Sequence, residues 1–149
     1  MTMSVKFLSK DERGATLVEF AIAATVFLMV MFTVLEFGRA LWVHNALTDA
    51  ARRGARYAVV HRANDADAVK NVVVYGDPAG GSQPLVTNLT TENVNVNYSN
   101  FGLSGGTASV SITNYQFQFV VPLIGTSIQM PSYTTTLTGE SAGLIPANL

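Results

Sequence analysis

The sequence predicts an α+β fold in which a long N-terminal helix packs on a small antiparallel sheet of about three strands, with a short second helix. Three observations predict it. The segment from Ala15 to Leu35 is apolar except for Glu19. All nine Lys and Arg residues lie between Lys6 and Lys70. The remainder is rich in Thr, Ser, Asn and Gly and alternates apolar with polar residues, as half-buried strands do.

The length and composition of the chain limit the classes of protein to which it can belong. At 149 residues the chain has room for one domain and an anchor, and 48% of it is apolar against 13% charged. Ordinary soluble domains carry about a quarter charged residues. The net charge of −1 gives no reason to expect a nucleic-acid partner. The lack of cysteine excludes disulfides, thiolate metal sites and cysteine nucleophiles.

Residues 1–14 are predicted to be a polar cytoplasmic leader and residues 15–36 a transmembrane helix. The leader carries Lys6, Lys10 and Arg13. At 1.5 Å per residue, the run from Ala15 to Leu35 reaches about 30 Å, the thickness of a bilayer core. A chain this small has no soluble core that would cover such a helix on all sides.

Three interpretations of this N-terminus remain open from the residues alone. A secretory signal peptide would be cut after the small-x-small sequence Gly38-Arg-Ala40, although the apolar run is longer than usual for one. An uncleaved signal anchor is the second. The third is a leader cut on the cytoplasmic side, before the apolar run. Near the span, three basic residues lie on the leader side and four lie beyond it, at Arg39, Arg52, Arg53 and Arg56, so the positive-inside rule does not decide.

Glu19 bears on this choice because a carboxylate inside a membrane helix is costly unless it is paired or reaches the interface. Its side chain either snorkels toward the headgroups or finds a cation. Cutting between Gly14 and Ala15 would free an α-ammonium four residues before Glu19. The ammonium of the same or a neighbouring chain would then neutralise the carboxylate.

Two stretches resemble a known family. The first is Arg13-Gly14-Ala15-Thr-Leu-Val-Glu19-Phe20, which looks like a prepilin-peptidase processing motif with glutamate at the fifth mature position. The second runs from Glu36 to Ala58. Together they closely resemble the TadE-like family, minor pseudopilins of the tight-adherence (Flp-type) pilus systems. The resemblance implies a pilin-like fold, processing between Gly14 and Ala15, and a docking role for Glu19 toward a neighbouring N-terminus.

The function implied is that of a minor pseudopilin, a structural and assembly subunit of a pilus involved in surface adhesion, and not an enzyme. The implied partners are a prepilin peptidase, the major pilin and other pseudopilins, the inner-membrane assembly platform and membrane lipid. The chain would cross the inner (cytoplasmic) membrane once, with its C-terminal head extracytoplasmic, and could enter an extracellular pilus. The alternative is a membrane-tethered periplasmic binding module outside any filament, which needs neither Glu19 nor the cut before Ala15.

Residues 37–62 are predicted to continue the helix as an amphipathic segment, because proline is absent and one face is apolar. Small residues recur every fourth position on that face. This pattern favours a groove against which the sheet packs, with helix–helix packing between subunits as the other interpretation. The residues are Ala46, Ala50, Gly54 and Ala58.

Residues 63–149 form the predicted extracytoplasmic head. A short helix is expected over 64–75, capped by Asn64 or Asp65, although Val72-Val-Val74 also suits a strand. Strands are expected over 94–98, 108–121 and 133–137, joined by connections at 102–106 and 122–129. Within 108–121 the apolar positions change from even to odd, which predicts a bulge near Thr113-Asn114 or a change of buried face.

No catalytic or cofactor motif accompanies this pattern. His44 and His61 are the only histidines and do not stand at metal-ligand spacing, so each is expected at the helix surface. Asp65-Ala-Asp67 lacks the other ligands of a calcium loop. No phosphate-binding or nucleophile-elbow sequence is present. We therefore expect no cofactor and no metal.

Overall fold

The first element is one unbroken helix, α1, over Glu12–Val60. The structure is a computed structural model and describes residues 12–61, 65–100, 106–121 and 126–139. Its 49 residues extend about 73 Å at the ordinary helical rise. The helix passes through Gly38, where an added Cβ would meet no atom within 4 Å. The predicted single helix is confirmed, and the glycine does not interrupt it.

The two halves of α1 have different surroundings. Up to Leu35 the described side chains contact almost nothing, and Leu17, Phe20 and Phe27 are 69%, 71% and 66% exposed. The most apolar 18-residue window has a mean hydropathy of 2.3 and none of it is buried, so the helix is long and apolar enough to cross a membrane. Beyond Leu35, one face of the same helix is covered by the rest of the chain.

The second helix, α2, spans Ala66–Tyr75 and confirms the predicted short helix. Val69, Val72 and Val73 recur at helical spacing and are buried, which rules out the alternative strand over Val72–Val74. Asp65 occupies the N-cap position, but its side chain makes no capping hydrogen bond. The other proposed cap, Asn64, lies outside the described residues. Gly76 ends the helix at φ +82°, and its amide donates to the Val72 carbonyl at 3.0 Å.

The main sheet has three antiparallel strands, as predicted, and the structure gives their order as β1-β2-β5. The strands are β1 over Val94–Ser99, β2 over Thr107–Ile112 and β5 over Tyr133–Thr138. Their paired positions run from Val94↔Ile112 to Ser99↔Thr107, and from Ile112↔Tyr133 to Thr107↔Thr138. Alternate residues of β2 are fully buried toward α1 and α2, so one face of the sheet covers the helices.

A separate two-stranded hairpin lies beside this sheet, and here the prediction was partly wrong. Its strands are β3 over Gln116–Gln118 and β4 over Ser127–Gln129, so the segment expected to be only a connection contains a strand. Of the two alternatives near Thr113-Asn114, the bulge is wrong and the change of buried face is confirmed: β2 ends at Ile112, the chain turns at Asn114 with φ +57°, and the buried residues are then Tyr115 and Phe117. The predicted connection at 102–106 lies mostly outside the described residues.

The core is formed where α1, α2 and the sheet meet. The helices supply mainly alanine and valine, and the strands supply larger side chains. Phe117 of β3 and Leu89 of the preceding loop close it at the side of the hairpin. Because the head is built on the C-terminal half of α1, the anchor and the head share one rigid element. The buried residues of α1 are Val43, Leu47, Ala50, Ala51, Ala55, Ala58 and Val59.

Candidate functional site

The processing motif lies in the first turns of α1. Gly14 has no neighbour within 4 Å of the position that a Cβ would occupy, and Ala15 and Glu19 are exposed. Ala15 and Glu19 are four residues apart, so they share one helix face about 5–6 Å apart. The fold thus presents the predicted cleavage point and the predicted docking carboxylate together, on a surface that the head does not cover.

Glu36, which the sequence interpretation gave no role, is the one buried charged residue among the described part of the chain. It is only 6% exposed. Its Oε1 accepts a hydrogen bond from the Val120 amide at 3.1 Å, and its Oε2 lies 3.5 Å from Arg39 Nη1. Oε2 has no hydrogen-bond partner, so the ion pair with Arg39 is its compensation. A carboxylate at the end of the apolar run therefore holds the segment after β3, 84 positions further along the chain.

Arg39 completes this contact one turn further along α1. Its Nη2 donates to the Gln118 carbonyl, and its guanidinium lies 4.5 Å from the centre of the Phe117 ring. One cation thus joins a helix carboxylate, a strand carbonyl and an aromatic face. We name Glu36, Arg39, Gln118 and Val120 the hairpin clamp. The only signal in the sequence was an acid and a base at i,i+3 just after the apolar run, which also describes an ordinary exposed pair.

An open cavity of about 330 Å³ lies beside the hairpin clamp. Trp42 borders it from the helix and Phe119 and Val120 from the hairpin, while Asn88, at φ +63°, closes another side. Trp42 is 59% exposed and Val120 is 74% exposed. The rim of this cavity is therefore apolar and open, at the end of the head nearest the apolar half of α1.

The face of small residues lies against the head of the same chain. Ala50 and Ala58 are fully buried, and Ala46 is half-buried beside the core. A Cβ on Gly54 would overlap Val73 Cγ2 of α2 and lie 3.3 Å from Val110 Cγ1 of β2. Glycine is therefore required sterically where α1, α2 and β2 converge. This placement leaves little of the face open to a neighbouring subunit.

His44 is exposed on α1, and its Nδ1 lies 2.9 Å from the Tyr133 hydroxyl. The two rings meet edge to face with their centres 5.2 Å apart. Burial raises the pKa of Tyr133, with a smaller contribution from Tyr115, so the hydroxyl keeps its proton and can donate it to the imidazole. The pair joins α1 to β5.

His61 is exposed and lies one residue beyond the end of α1, so it is not on the helix surface as expected. Its ring stacks on Tyr57 at 3.7 Å between centres, and its Nδ1 lies 2.9 Å from the Tyr57 carbonyl oxygen. Among residues 12–61, 65–100, 106–121 and 126–139, no group of three or more His, Asp or Glu side chains is placed to hold a metal ion. The side chains that the structure brings together make structural contacts.

Fold and contacts define the class: a protein with a bare apolar helix of membrane-spanning length and a small α+β head built on the second half of that helix. Residues 14–56 match the family model described as TadE-like protein. The resemblance drawn from the sequence is thereby confirmed for this segment, which covers the exposed half of α1, the clamp residues Glu36 and Arg39, and most of the packed half. A TadE-like segment points to the tight-adherence (Flp-type) pilus systems.

Comparison with curated proteins found no match to the chain. Comparison with solved structures found none either.

Proposed function

We propose that this protein is a minor pseudopilin, a structural and assembly subunit of a tight-adherence (Flp-type) pilus. The observation that carries the proposal is the bare N-terminal half of α1, which is apolar on all sides and holds Glu19. Lipid can cover such a surface before assembly, and the helices of other subunits can cover it afterwards. A head fused rigidly to the same helix would then be displayed wherever the helix is held.

In this proposal the helix crosses the inner membrane once and the head is extracytoplasmic. A prepilin peptidase removes residues 1–14, and the ammonium of Ala15 becomes available to pair with Glu19 of a neighbouring subunit. The partners are therefore the peptidase, the major pilin, other pseudopilins and the assembly platform. No chemical step by this chain is required, because its contribution is a helix that packs and a head that is positioned.

The mature N-terminus tests the proposal. Mass spectrometry of the protein from membranes should give a chain that begins at Ala15, and Gly14→Glu should leave the full-length precursor. Gly14 contacts nothing that a side chain would disturb, so loss of cleavage would not reflect misfolding. Gly38→Ala is the matched control, since Gly38 also has open space around its Cβ position.

A mature chain that begins at Leu41 would mean an ordinary signal peptide and would contradict the proposal. A chain that retains residues 1–14 in cells with an active prepilin peptidase would favour the membrane-tethered periplasmic module instead.

A further inference from the structure

The β3–β4 hairpin descends along α1 toward the apolar half of the helix. From Gln118, the last residue of β3, the chain moves forward to Val120, while its partners on the helix move backward from Arg39 to Glu36. Glu36 is the first residue after the apolar run that ends at Leu35. The hairpin clamp therefore brings the described end of the hairpin to the boundary of the membrane-spanning segment.

The exposed surface of the hairpin at this level is apolar. Val120 is 74% exposed and Trp42 is 59% exposed, and both side chains line the same open cavity together with Phe119. Large apolar side chains clustered at one end of a small head are the kind of surface that marks an interaction site.

The distribution of charge also makes this end of the head suited to an apolar contact. Glu92 and Glu140 are consecutive charged residues in the sequence, so every residue of the hairpin between them is uncharged. The nearest charges on the helix, Glu36 and Arg39, are paired with each other. This end of the head can therefore approach lipid without removing an unpaired charge from water.

The distances suit the headgroup layer. A bilayer adds roughly 5–8 Å of polar headgroup region on each side of its hydrocarbon core. Trp42 stands seven residues beyond Leu35, about 10 Å along the helix, which on an upright helix is just outside that layer and close to where interfacial tryptophans are enriched. Val120 lies lower, at the level of Glu36, and so falls within the headgroup layer.

We propose that the β3–β4 hairpin is a second membrane contact of this protein: Val120 and its neighbours insert into the headgroup–acyl boundary of the extracytoplasmic leaflet, beside the helix that spans it. The inference rests on the proposed function for the placement of the helix. The occupant is lipid, because the hairpin surface is continuous with the bare surface of α1. The head would thus be fixed to the bilayer at two points, with the hairpin clamp between them.

Single cysteines test the inference cleanly, because the chain has none of its own. Val120→Cys, Ser99→Cys and Phe27→Cys would each be labelled with an environment-sensitive fluorophore in the full chain. The proteins would be reconstituted into phosphatidylglycerol–phosphatidylethanolamine vesicles that carry nitroxides at the headgroup or deep in the acyl chain. Ser99 is the matched control because it lies in the head, far from the hairpin. It pairs with Thr107, which lies beyond Val110 in β2. Val110 is level with Gly54, which is about 27 Å along α1 from Glu36.

We expect the label at position 120 to be quenched by headgroup nitroxides at least twofold more than the label at position 99, and the label at position 27 to be quenched by deep nitroxides. Equal quenching at positions 120 and 99, with position 27 in lipid, would overturn the inference and leave the span intact. A blue-shifted but unquenched label at position 120 would show a protein partner there and would also overturn it. An unquenched label at position 27 would overturn the span itself, and with it the proposed function.

Discussion

Glu36 accepts a hydrogen bond from the Val120 amide at 3.1 Å, although 84 positions separate the two residues in the chain. The contact joins the last turn before the head to the segment that follows β3. It places a buried carboxylate and the Val120 amide where the apolar half of α1 ends. The hairpin is therefore held by polar contacts with the helix as well as by the packing of Phe117.

Removing the Glu36 carboxylate should release the hairpin. Glu36→Ala removes the acceptor of the Val120 amide and the carboxylate beside Arg39, and the loss of a hydrogen bond of this kind costs about 0.5–1.5 kcal/mol. Glu36→Gln keeps an acceptor for the amide and should lose less. The measurement is hydrogen exchange at Val120 and Phe119, where protection should fall in the alanine variant while that of β1 and β2 is retained.

Asp49→Ala is the matched control, since Asp49 and Arg52 form another acid–arginine pair at i,i+3 on the same helix. Their charged atoms are 3.6 Å apart, but both side chains are mostly exposed. Exposed pairs add little to stability. Equal loss of hairpin protection in Asp49→Ala and Glu36→Ala would show that burial of Glu36 is irrelevant.

Gly54→Ala should destabilise the head. The added methyl overlaps Val73 Cγ2, and Val73 is a fully buried, β-branched residue that cannot swing aside. Overpacking of this kind costs about 1–3 kcal/mol, against a gain of about 1 kcal/mol in helix propensity. Chemical denaturation in detergent should show a lower unfolding free energy, and Val73→Ala in the same chain should restore part of it.

Gly38→Ala provides the comparison, because it brings the same gain in propensity with open space around the new methyl. It should be neutral or stabilising. If Gly54→Ala instead kept full stability and lost only piliation, the small-residue face would serve contacts between subunits.

Glu19→Leu should block assembly while leaving processing and the head intact. If Glu19 pairs with the Ala15 ammonium of a neighbour, the substitution removes half of a poorly solvated ion pair, which costs about 3–5 kcal/mol. The expected phenotype is a processed, membrane-resident protein with reduced or absent pili, scored by electron microscopy and by the mass of the mature chain. Normal piliation with Glu19→Leu as the only copy would contradict the pairing.

Stability should decline in alkali. Burial raises the pKa of Tyr98, Tyr115 and Tyr133, and nearby Asp65 raises that of Tyr98 further, whereas Arg39 lowers that of Tyr115. Each folded pKa lies above the unfolded value of about 10, so the folded state holds these protons more tightly. The contribution to stability is complete below pH 10 and is lost as pH rises through the folded pKa values.

Absorbance at 295 nm follows the ionisation of tyrosine, and thermal unfolding between pH 8 and 12 follows the loss of stability. Tyr133→Phe should flatten the alkaline fall in the unfolding temperature and should cost about 1 kcal/mol at neutral pH, because the hydroxyl contact with His44 is gone. An unfolding temperature that rises between pH 9 and 11 would reverse the expected sign.

The parts of the fold that follow from local pattern were predictable. The unbroken helix follows from an apolar run and an amphipathic run with no proline between them, and α2 follows from the spacing of Val69, Val72 and Val73. The strands β1, β2 and β5 follow from alternation, whereas their pairing does not. In each case the signal lies within a few residues of the structure it predicts.

The turn at Thr113-Asn114 was not predictable in this way. Alternation showed that the buried face changes there, but not that the chain leaves the sheet. The structure shows why: the Asn93 side-chain amide donates to the Thr113 carbonyl at 3.1 Å and the Asn114 carbonyl at 3.2 Å. A residue next to β1 thus satisfies the carbonyls after β2, and no local rule reports that contact.

Glu36 escaped prediction for a related reason. An acid at the end of an apolar run is ordinarily a flanking residue exposed to the headgroups. Its burial depends on the hairpin, and the hairpin depends on where β3 leaves the sheet. Because the turn at Thr113-Asn114 was not foreseen, neither the hairpin nor the hairpin clamp was predicted.

Because α1 passes unbroken through Gly38, the membrane-spanning segment and the head would tilt together as one rigid body. Transmembrane helices lean by about 20° on average. With no hinge at the bilayer surface, such a lean would move the level of Gly54 sideways by about 9 Å relative to Glu36. A lean toward the hairpin presses Val120 into the leaflet, and a lean away lifts it out. Bilayer thickness, through the angle it imposes on the helix, would then set the direction in which the head points.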